Sequence, residues 1–326
     1  MKKILVVGGA GYVGSELVKK LLVLKHKISV LDLFMYGRNT IPDDKNIIKI
    51  IGDIRDENLW NRSLKDIDVV VHLACISNDP SFELNPALGR SINFECFEPF
   101  VKRSIKYNVK KFIYASSSSV YGVSKALNVD ENHELKPLTD YSKFKVECEE
   151  ILKKYSNELL WTIVRPATVC GYSSRQRFDL VVNILTNLAY NKGEIIIYGG
   201  NQLRPNIHIK DMVNAYIKII DCDNEEKTKN QIYNVGCENK SLDNLAQLVK
   251  DTVSKNLIIK KITTDDNRSY HISSHKFSKN FNFKYKYSIS DAINDLVSAF
   301  KENKFQDPLS NQLYFNIKQM QSISLK

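Results

Sequence analysis

Lys2-Lys3-Ile4-Leu5-Val6-Val7-Gly8-Gly9-Ala10-Gly11-Tyr12-Val13-Gly14 opens the chain with a short apolar strand that breaks directly into glycines. Glu16, Leu17, Leu21 and Leu22 follow at helical spacing, so the order is strand, glycine turn, helix, the context that a dinucleotide fingerprint requires. Each glycine removes a side chain where one would collide: Gly8 in the tight turn, Gly11 facing the pyrophosphate, Gly14 where helix packs on strand. Tyr12 and Val13 then begin a helix whose free N–H groups and positive dipole end face the phosphates. The next strand, Lys27 to Leu31, ends in Asp32, an acid placed to accept the ribose hydroxyls of NAD and to repel the 2′-phosphate of NADP.

Strand and helix go on alternating. Ile47 to Ile51 runs into Gly52-Asp53-Ile54-Arg55, Val69 to Ala74 is a buried strand, Pro86 to Tyr107 a helix, and Lys111 to Ser116 another strand. This βαβ rhythm predicts an α/β fold with a doubly wound parallel sheet, whose ligands sit at the carboxyl ends of the strands. Asp32, Asp53, Ala74 and Ser117 all fall at those ends.

Composition bounds the function. With 326 residues, 43% hydrophobic and 26% charged, the chain can fill one large unit or two modest domains. No apolar run approaches the roughly 18 residues needed to cross a bilayer, and the apolar start is too short for a secretory signal, so a cytoplasmic protein without a membrane partner is expected. The formal charge of +10 comes from dispersed lysines, with no arginine-rich arm or aromatic-basic motif that would mark a nucleic-acid partner. Six scattered cysteines, Cys75, Cys96, Cys148, Cys170, Cys222 and Cys237, form no C-x-x-C pair and read as reduced core residues, with no metal site expected.

Ser116-Ser117-Ser118-Ser119-Val120-Tyr121-Gly122 closes the strand from Lys111 and puts hydroxyls at the cofactor edge. Thr139-Asp140 caps a helix in which Tyr141 and Lys145, four apart, share one face. A lysine ammonium close to a phenol favours the phenolate, so Tyr141 is expected to have a lowered pKa. Such a tyrosine exchanges a proton with an alcohol while hydride leaves the same carbon for nicotinamide.

Gly8, Gly11 and Gly14, then Asp32, Asp53-Ile54, His72-Leu73-Ala74, Ser117 before Val120-Tyr121-Gly122, and Tyr141-x-x-x-Lys145 appear in this order and at these separations. Together they resemble the extended short-chain dehydrogenase/reductase family, in its NAD-dependent sugar-nucleotide epimerase/dehydratase branch. The resemblance implies a Rossmann NAD-binding domain over 1–170, with a return segment near 204–235, and a smaller α/β sugar-nucleotide-binding domain over 171–326. It implies that Ser117 hydrogen-bonds the reacting hydroxyl, Tyr141 is the general base and Lys145 holds the nicotinamide ribose. Asp53 and Ile54 would flank the adenine, and Leu73 and Ala74 would line the dinucleotide. Thr168 and Asn183 fall where relatives contact substrate. Arg204, in a segment similar to Arg-Asp-x-x-His-Val-x-Asp, and Arg268 would bind the diphosphate of a nucleotide sugar. Relatives commonly form homodimers through helices matching 86–107 and 141–155.

Departures from the family pattern narrow the reaction. Dehydratases place an Asp-Glu pair directly after the hydroxyl residue, where this chain has Ser118 and Ser119, which cannot supply that acid and base. Asp32 opposes an NADPH-dependent reductase. The expected activity is oxidation or epimerisation at C4 of a nucleotide-diphosphate sugar in bacterial surface-polysaccharide precursor synthesis. The alternatives are a 4-dehydrogenase that releases a 4-keto sugar, as the similarity of the 165–179 segment to a GDP-heptose 4-dehydrogenase suggests, and a non-catalytic NAD(H)-binding module. The polar tail after a last helix ending near Lys301 receives no role.

Overall fold

Ile4, Leu5, Val6 and Val7 are wholly buried, on both faces of their strand, as happens in the middle of a parallel sheet covered by helices on each side. The pleat sends Ile4 and Val6 into one hydrophobic core and Leu5 and Val7 into another. The computed structural model describes residues 1–326 except 125, 127, 265–268, 270 and 326.

The strands are β1 (Lys3–Val7), β2 (Lys27–Asp32), β3 (Ile47–Ile51), β4 (Val69–His72), β5 (Lys111–Ala115), β6 (Trp161–Pro166), β7 (Thr168–Cys170), β8 (Glu194–Tyr198), β9 (Leu203–His208), β10 (Gln231–Val235), β11 (Glu238–Ser241) and β12 (Ile258–Ile262). Seven of them form one sheet in the order β10-β6-β5-β4-β1-β2-β3, every pairing parallel. The chain builds outward from β1 to β3, then crosses back to β4, so the order reverses between β1 and β4. A crevice opens at such a switch point, outside the carboxyl ends of the strands.

The smaller part holds a three-stranded sheet, β11-β9-β7, and a parallel pair, β12-β8, packed around Leu185, Ile195, Leu245 and Ile293. Residues 204–208 belong to β9 in this small sheet. The chain rejoins the large unit through the helix Ile209–Asp221, which packs on the helix Tyr12–Val23, and through β10. Beyond the helix Ile289–Lys301 lies a further short helix, Asn316–Ser322, in the tail to which the sequence assigned no role.

The continuous helix expected over 86–107 is three pieces. Pro86–Arg90 and Phe97–Lys106 are α-helical, and the turn between them, Ser91–Glu95, widens to π geometry. Such turns cluster at functional sites. Here it aims Asn93 at the loop after β4: its Oδ1 accepts from Ile76 N at 2.8 Å and its Nδ2 donates to Ile76 O at 3.0 Å.

His72, at the end of β4, sits among Phe97, Phe100, Phe112 and Tyr114, and neither ring nitrogen is hydrogen-bonded among the described residues. Burial, helped by the Lys145 ammonium, pushes its pKa down to about 3. As the pH falls below the ordinary value of 6.5, the unfolded chain takes up a proton here that the folded chain refuses until about 3. The contribution is therefore complete above pH 6.5 and is lost through that window, at about 1.4 kcal/mol per pH unit. The urea midpoint should fall on acidification from pH 6.5, and His72→Leu should flatten that limb. An unchanged slope in the variant would mean that the imidazole is not the titrating group.

Candidate active site

The glycine loop has no room for side chains. Gly8 has φ +81°, and a Cβ there would lie 2.6 Å from Ala74 N; a Cβ on Gly14 would lie 2.4 Å from Gly8 O. A Cβ on Gly11 would meet only Gly8 O, at 3.2 Å, so its other side is open to the crevice. Gly11 is also the N-cap of Tyr12–Val23 and offers no side-chain cap, leaving the first N–H groups of the helix to a ligand. Asp32 is oriented by the N–H groups of Ala10 and Phe34, which donate to its two oxygens at 2.9 and 2.8 Å. Burial raises its pKa against the pull of those bonds. Across the cleft Asp53 pairs with Arg55 at 2.7 Å; burial alone would raise its carboxyl, but the hydrogen bonds and charge of Arg55 hold it below the usual range. Tyr12, Val13, Ile54, Leu73 and Ala74 complete this wall. A cradle closed to any Cβ, an uncapped helix end and a positioned carboxylate fit a dinucleotide.

The same cleft takes in Ser117, Tyr141 and Lys145. Ser117 caps the short 3-10 turn Ser118–Tyr121, with its Oγ accepting from Ser119 N at 3.1 Å and lying 2.8 Å from Ser119 Oγ. Tyr141 and Lys145 project from the first turns of the helix Asp140–Lys154, whose start is fixed by Thr139 in a capping box with Ser142. Thr139 Oγ1 in turn donates to Asp79 Oδ1 at 2.6 Å, which ties the helix to the loop after β4. Lys145 Nζ donates to Ala115 O at 2.7 Å and stands 5.7 Å from the Tyr141 ring centre. The expected lowered pKa of Tyr141 is corrected here: burial lifts the phenol well above its ordinary value, Cys75 and Asp79 add to this, and Ser117 and Arg177 only partly oppose it. Desolvation outweighs the cation because the Lys145 ammonium is turned onto a backbone carbonyl.

The other substrate residues named from the sequence separate. Thr168 lines the cleft. Asn183 does not: it is wholly buried, accepting from Gly171 N at 2.9 Å and donating to Tyr12 Oη and Arg177 O at 3.0 and 2.9 Å. Its amide braces the crossing into the smaller part. Arg204 lies on β9, away from the cleft lining, and donates to Leu203 O at 3.0 Å. Leu203 N donates to Ser269 Oγ at 3.0 Å, so β9 meets the segment at 269. Arg268 lies outside the described residues. The cysteines are unpaired, yet they are not all core residues: Cys75 lines the cleft beside Tyr141 and Cys237 is exposed.

Residues 4–236 match the NAD dependent epimerase/dehydratase family. The chain belongs to that family. A putative UDP-glucose 4-epimerase of Methanocaldococcus jannaschii is 31% identical over 258 residues, covering 77% of this chain and 82% of its own. A relative in Escherichia coli O157:H7, an N-acetylglucosaminyl-diphospho-undecaprenol 4-epimerase, is 30% identical over 203 residues, 61% of this chain and 57% of its own. The crystal structure of UDP-glucose 4-epimerase with UDP-glucose from Thermotoga maritima superimposes with a TM-score of 0.83 at 26% identity, covering 93% of this chain and all of that one. The cofactor of this family member is NAD.

Several residues of this epimerase/dehydratase family member reach the cleft without having been singled out in the sequence. Ser77 and Asp79 come from the loop after β4, Arg175 and Arg177 from the segment after β7, and Asn316 from the C-terminal helix. The sequence signal for the arginines was the similarity of the 165–179 segment to a GDP-heptose 4-dehydrogenase, and Asn316 had none.

Proposed function

We propose that this protein oxidises C4 of a nucleoside-diphosphate sugar and returns the hydrogen to the opposite face, a 4-epimerisation. The observation that carries the reading is a cleft in which a dinucleotide cradle, Ser117, Tyr141 and Lys145 meet, while Ser118 and Ser119 stand where a dehydratase needs carboxyl groups. NAD, when bound, supplies the acceptor and donor of the C4 hydrogen. Tyr141 takes the proton of the C4 hydroxyl and gives it back, Ser117 fixes that hydroxyl by a hydrogen bond, and Lys145 holds the ribose of the cofactor and the electrostatics around the phenol. Thr168 touches the substrate in this reading.

The names of the relatives at 31% and 30% identity support epimerisation and a place in carbohydrate assembly. We place the enzyme in the cytoplasm as a homodimer. Support for pairing comes from Phe94 and Phe144, two partly exposed rings stacked 5.1 Å apart where the 91–95 turn meets the helix Asp140–Lys154.

Mass spectrometry of the products formed from UDP-, GDP-, dTDP- and CDP-sugars tests the reaction. An epimerase gives a product of unchanged mass with a new C4 configuration. A product lighter by two hydrogens would replace the reading with a 4-dehydrogenase, and loss of one water would overturn the argument from Ser118 and Ser119.

A further inference from the structure

Two arginines in the cleft are buried with unused donors. Arg175 is 3% exposed and, among the described residues, its Nε and Nη1 have no hydrogen-bond partner; Arg177 is 7% exposed and its Nη2 has none there either. Leaving guanidinium donors dry and unpaired is costly unless a ligand completes them. Arg177 is partly neutralised, with Nε donating to Asp179 at 2.8 Å and Nη1 to Ser77 Oγ at 2.9 Å. Arg175 forms no ion pair among the described residues, lies 3.5 Å over the Tyr36 ring, and burial drops its pKa to about 10. Both side chains are set for an anion.

The position of Arg175 says which anion. The residues just before it run along the first turn of the helix Tyr12–Val23: Ser173 Oγ donates to Tyr12 O at 2.8 Å and Ser174 N to Glu16 Oε1 at 2.9 Å. On its other side are Tyr36 and the Asp32 carboxyl, whose charge it stabilises. Arg175 therefore stands at the uncapped helix end and the ribose-binding acid, where the dinucleotide carries its phosphates.

Asn316 ties this group together from the end of the chain. It is 4% exposed; its N–H donates to Asp179 at 3.0 Å, its Nδ2 to Ser77 Oγ at 3.1 Å, and its Oδ1 accepts from Tyr36 Oη at 3.0 Å and from Arg175 Nη2. Gln319 Nε2 donates to Met35 O, and Phe178 N donates to Tyr314 O at 2.9 Å, fastening the tail on both sides of Asn316.

We infer that Arg175 and Arg177, locked in place by Asn316 of the C-terminal helix, clamp the diphosphate of the dinucleotide. The clamp adds planar, charge-assisted donors to the helix end and makes the tail part of the cofactor site. Binding alone reads it, so it stands or falls separately from the proposed reaction.

The test is titration of the cofactor-stripped full chain with NAD, ADP-ribose and UDP. Arg175→Gln and Arg177→Gln should each weaken NAD and ADP-ribose about 10- to 100-fold, the loss of charge-assisted hydrogen bonds, and leave UDP within about twofold. Asn316→Ala should release NAD about 3- to 10-fold faster, the scale of one lost neutral hydrogen bond. Should a glutamine variant not fold, Arg175→Lys, which keeps the charge but loses the fork, should weaken NAD by about three- to tenfold. Unchanged NAD and ADP-ribose affinity in the arginine variants would overturn the clamp. A loss confined to UDP would move the arginines to the sugar-nucleotide diphosphate and overturn it equally.

Discussion

Tyr141→Phe should lower kcat by about a thousandfold, within the 10²–10⁴ range of general acid–base catalysis, while NAD and nucleotide-sugar affinities stay within about twofold. The substitution removes one oxygen and keeps the ring that packs against the second core. KM should therefore hold while kcat falls, the signature of an interaction made in the transition state. Because burial holds the phenol protonated, turnover in the wild type should also climb as the pH rises through the alkaline range, where the basic form becomes populated. The phenylalanine variant should lose that climb. Steady-state kinetics at several pH values read both effects, and a variant that keeps a tenth of the wild-type rate would mean that another group accepts the proton.

The second large effect comes from a residue that never meets substrate. Glu149 is wholly buried one turn beyond Lys145, and its oxygens accept from Arg165 Nη2 at 2.6 Å, Arg165 Nε at 3.0 Å and Ser116 Oγ at 2.5 Å. Arg165, 2% exposed, also donates to Tyr121 Oη at 2.8 Å, and that hydroxyl donates to Asn234 Oδ1 at 2.7 Å. The network fastens the helix of Tyr141 and Lys145 to β5, β6 and β10, next to Ser117. Glu149→Ala leaves a guanidinium buried without its anion and should cost about 3–5 kcal/mol, a large part of the roughly 5–15 kcal/mol that holds a domain. The double variant Glu149→Leu, Arg165→Met should recover much of the loss, since it removes both charges together. Urea unfolding of the single and double variants measures this. A single variant as stable as the wild type would show that the pair contributes nothing.

Features that depend on near neighbours in the chain were legible in the sequence. Gly8, Gly11 and Gly14 lie within seven residues, Tyr141 and Lys145 within one turn, and Asp32 ends the strand beside β1, so spacing alone brings them together. Features created by the crossing of distant segments were not. Arg175 and Asn316 touch across 141 residues, and Asn316 reads in the sequence as one more polar residue of a polar tail. Asn183 was assigned to substrate because it falls where relatives contact substrate, yet the crossing at Gly171 uses its whole amide. The pKa of Tyr141 was misjudged for a related reason: the lysine one turn on is local, whereas the desolvation that raises it comes from distant segments packed around the phenol. The π turn at 91–95 escaped notice because its residues suit an α-helix; its register follows from the grip of Asn93 on Ile76.

One labelling experiment tests most directly the claim that this cleft removes hydrogen from C4 of a nucleotide sugar. NAD-loaded protein, in excess over UDP-, GDP-, dTDP- and CDP-sugars carrying deuterium at C4, is run in ordinary water through a single turnover, and sugar and cofactor are weighed at early and late times. With the sugar that the protein transforms, the account predicts deuterium on the cofactor at early times and at C4 of the epimerised product at the end, and with Tyr141→Phe deuterium that never leaves the sugar. A transformed sugar whose deuterium goes to water, or never passes to the cofactor, would contradict it.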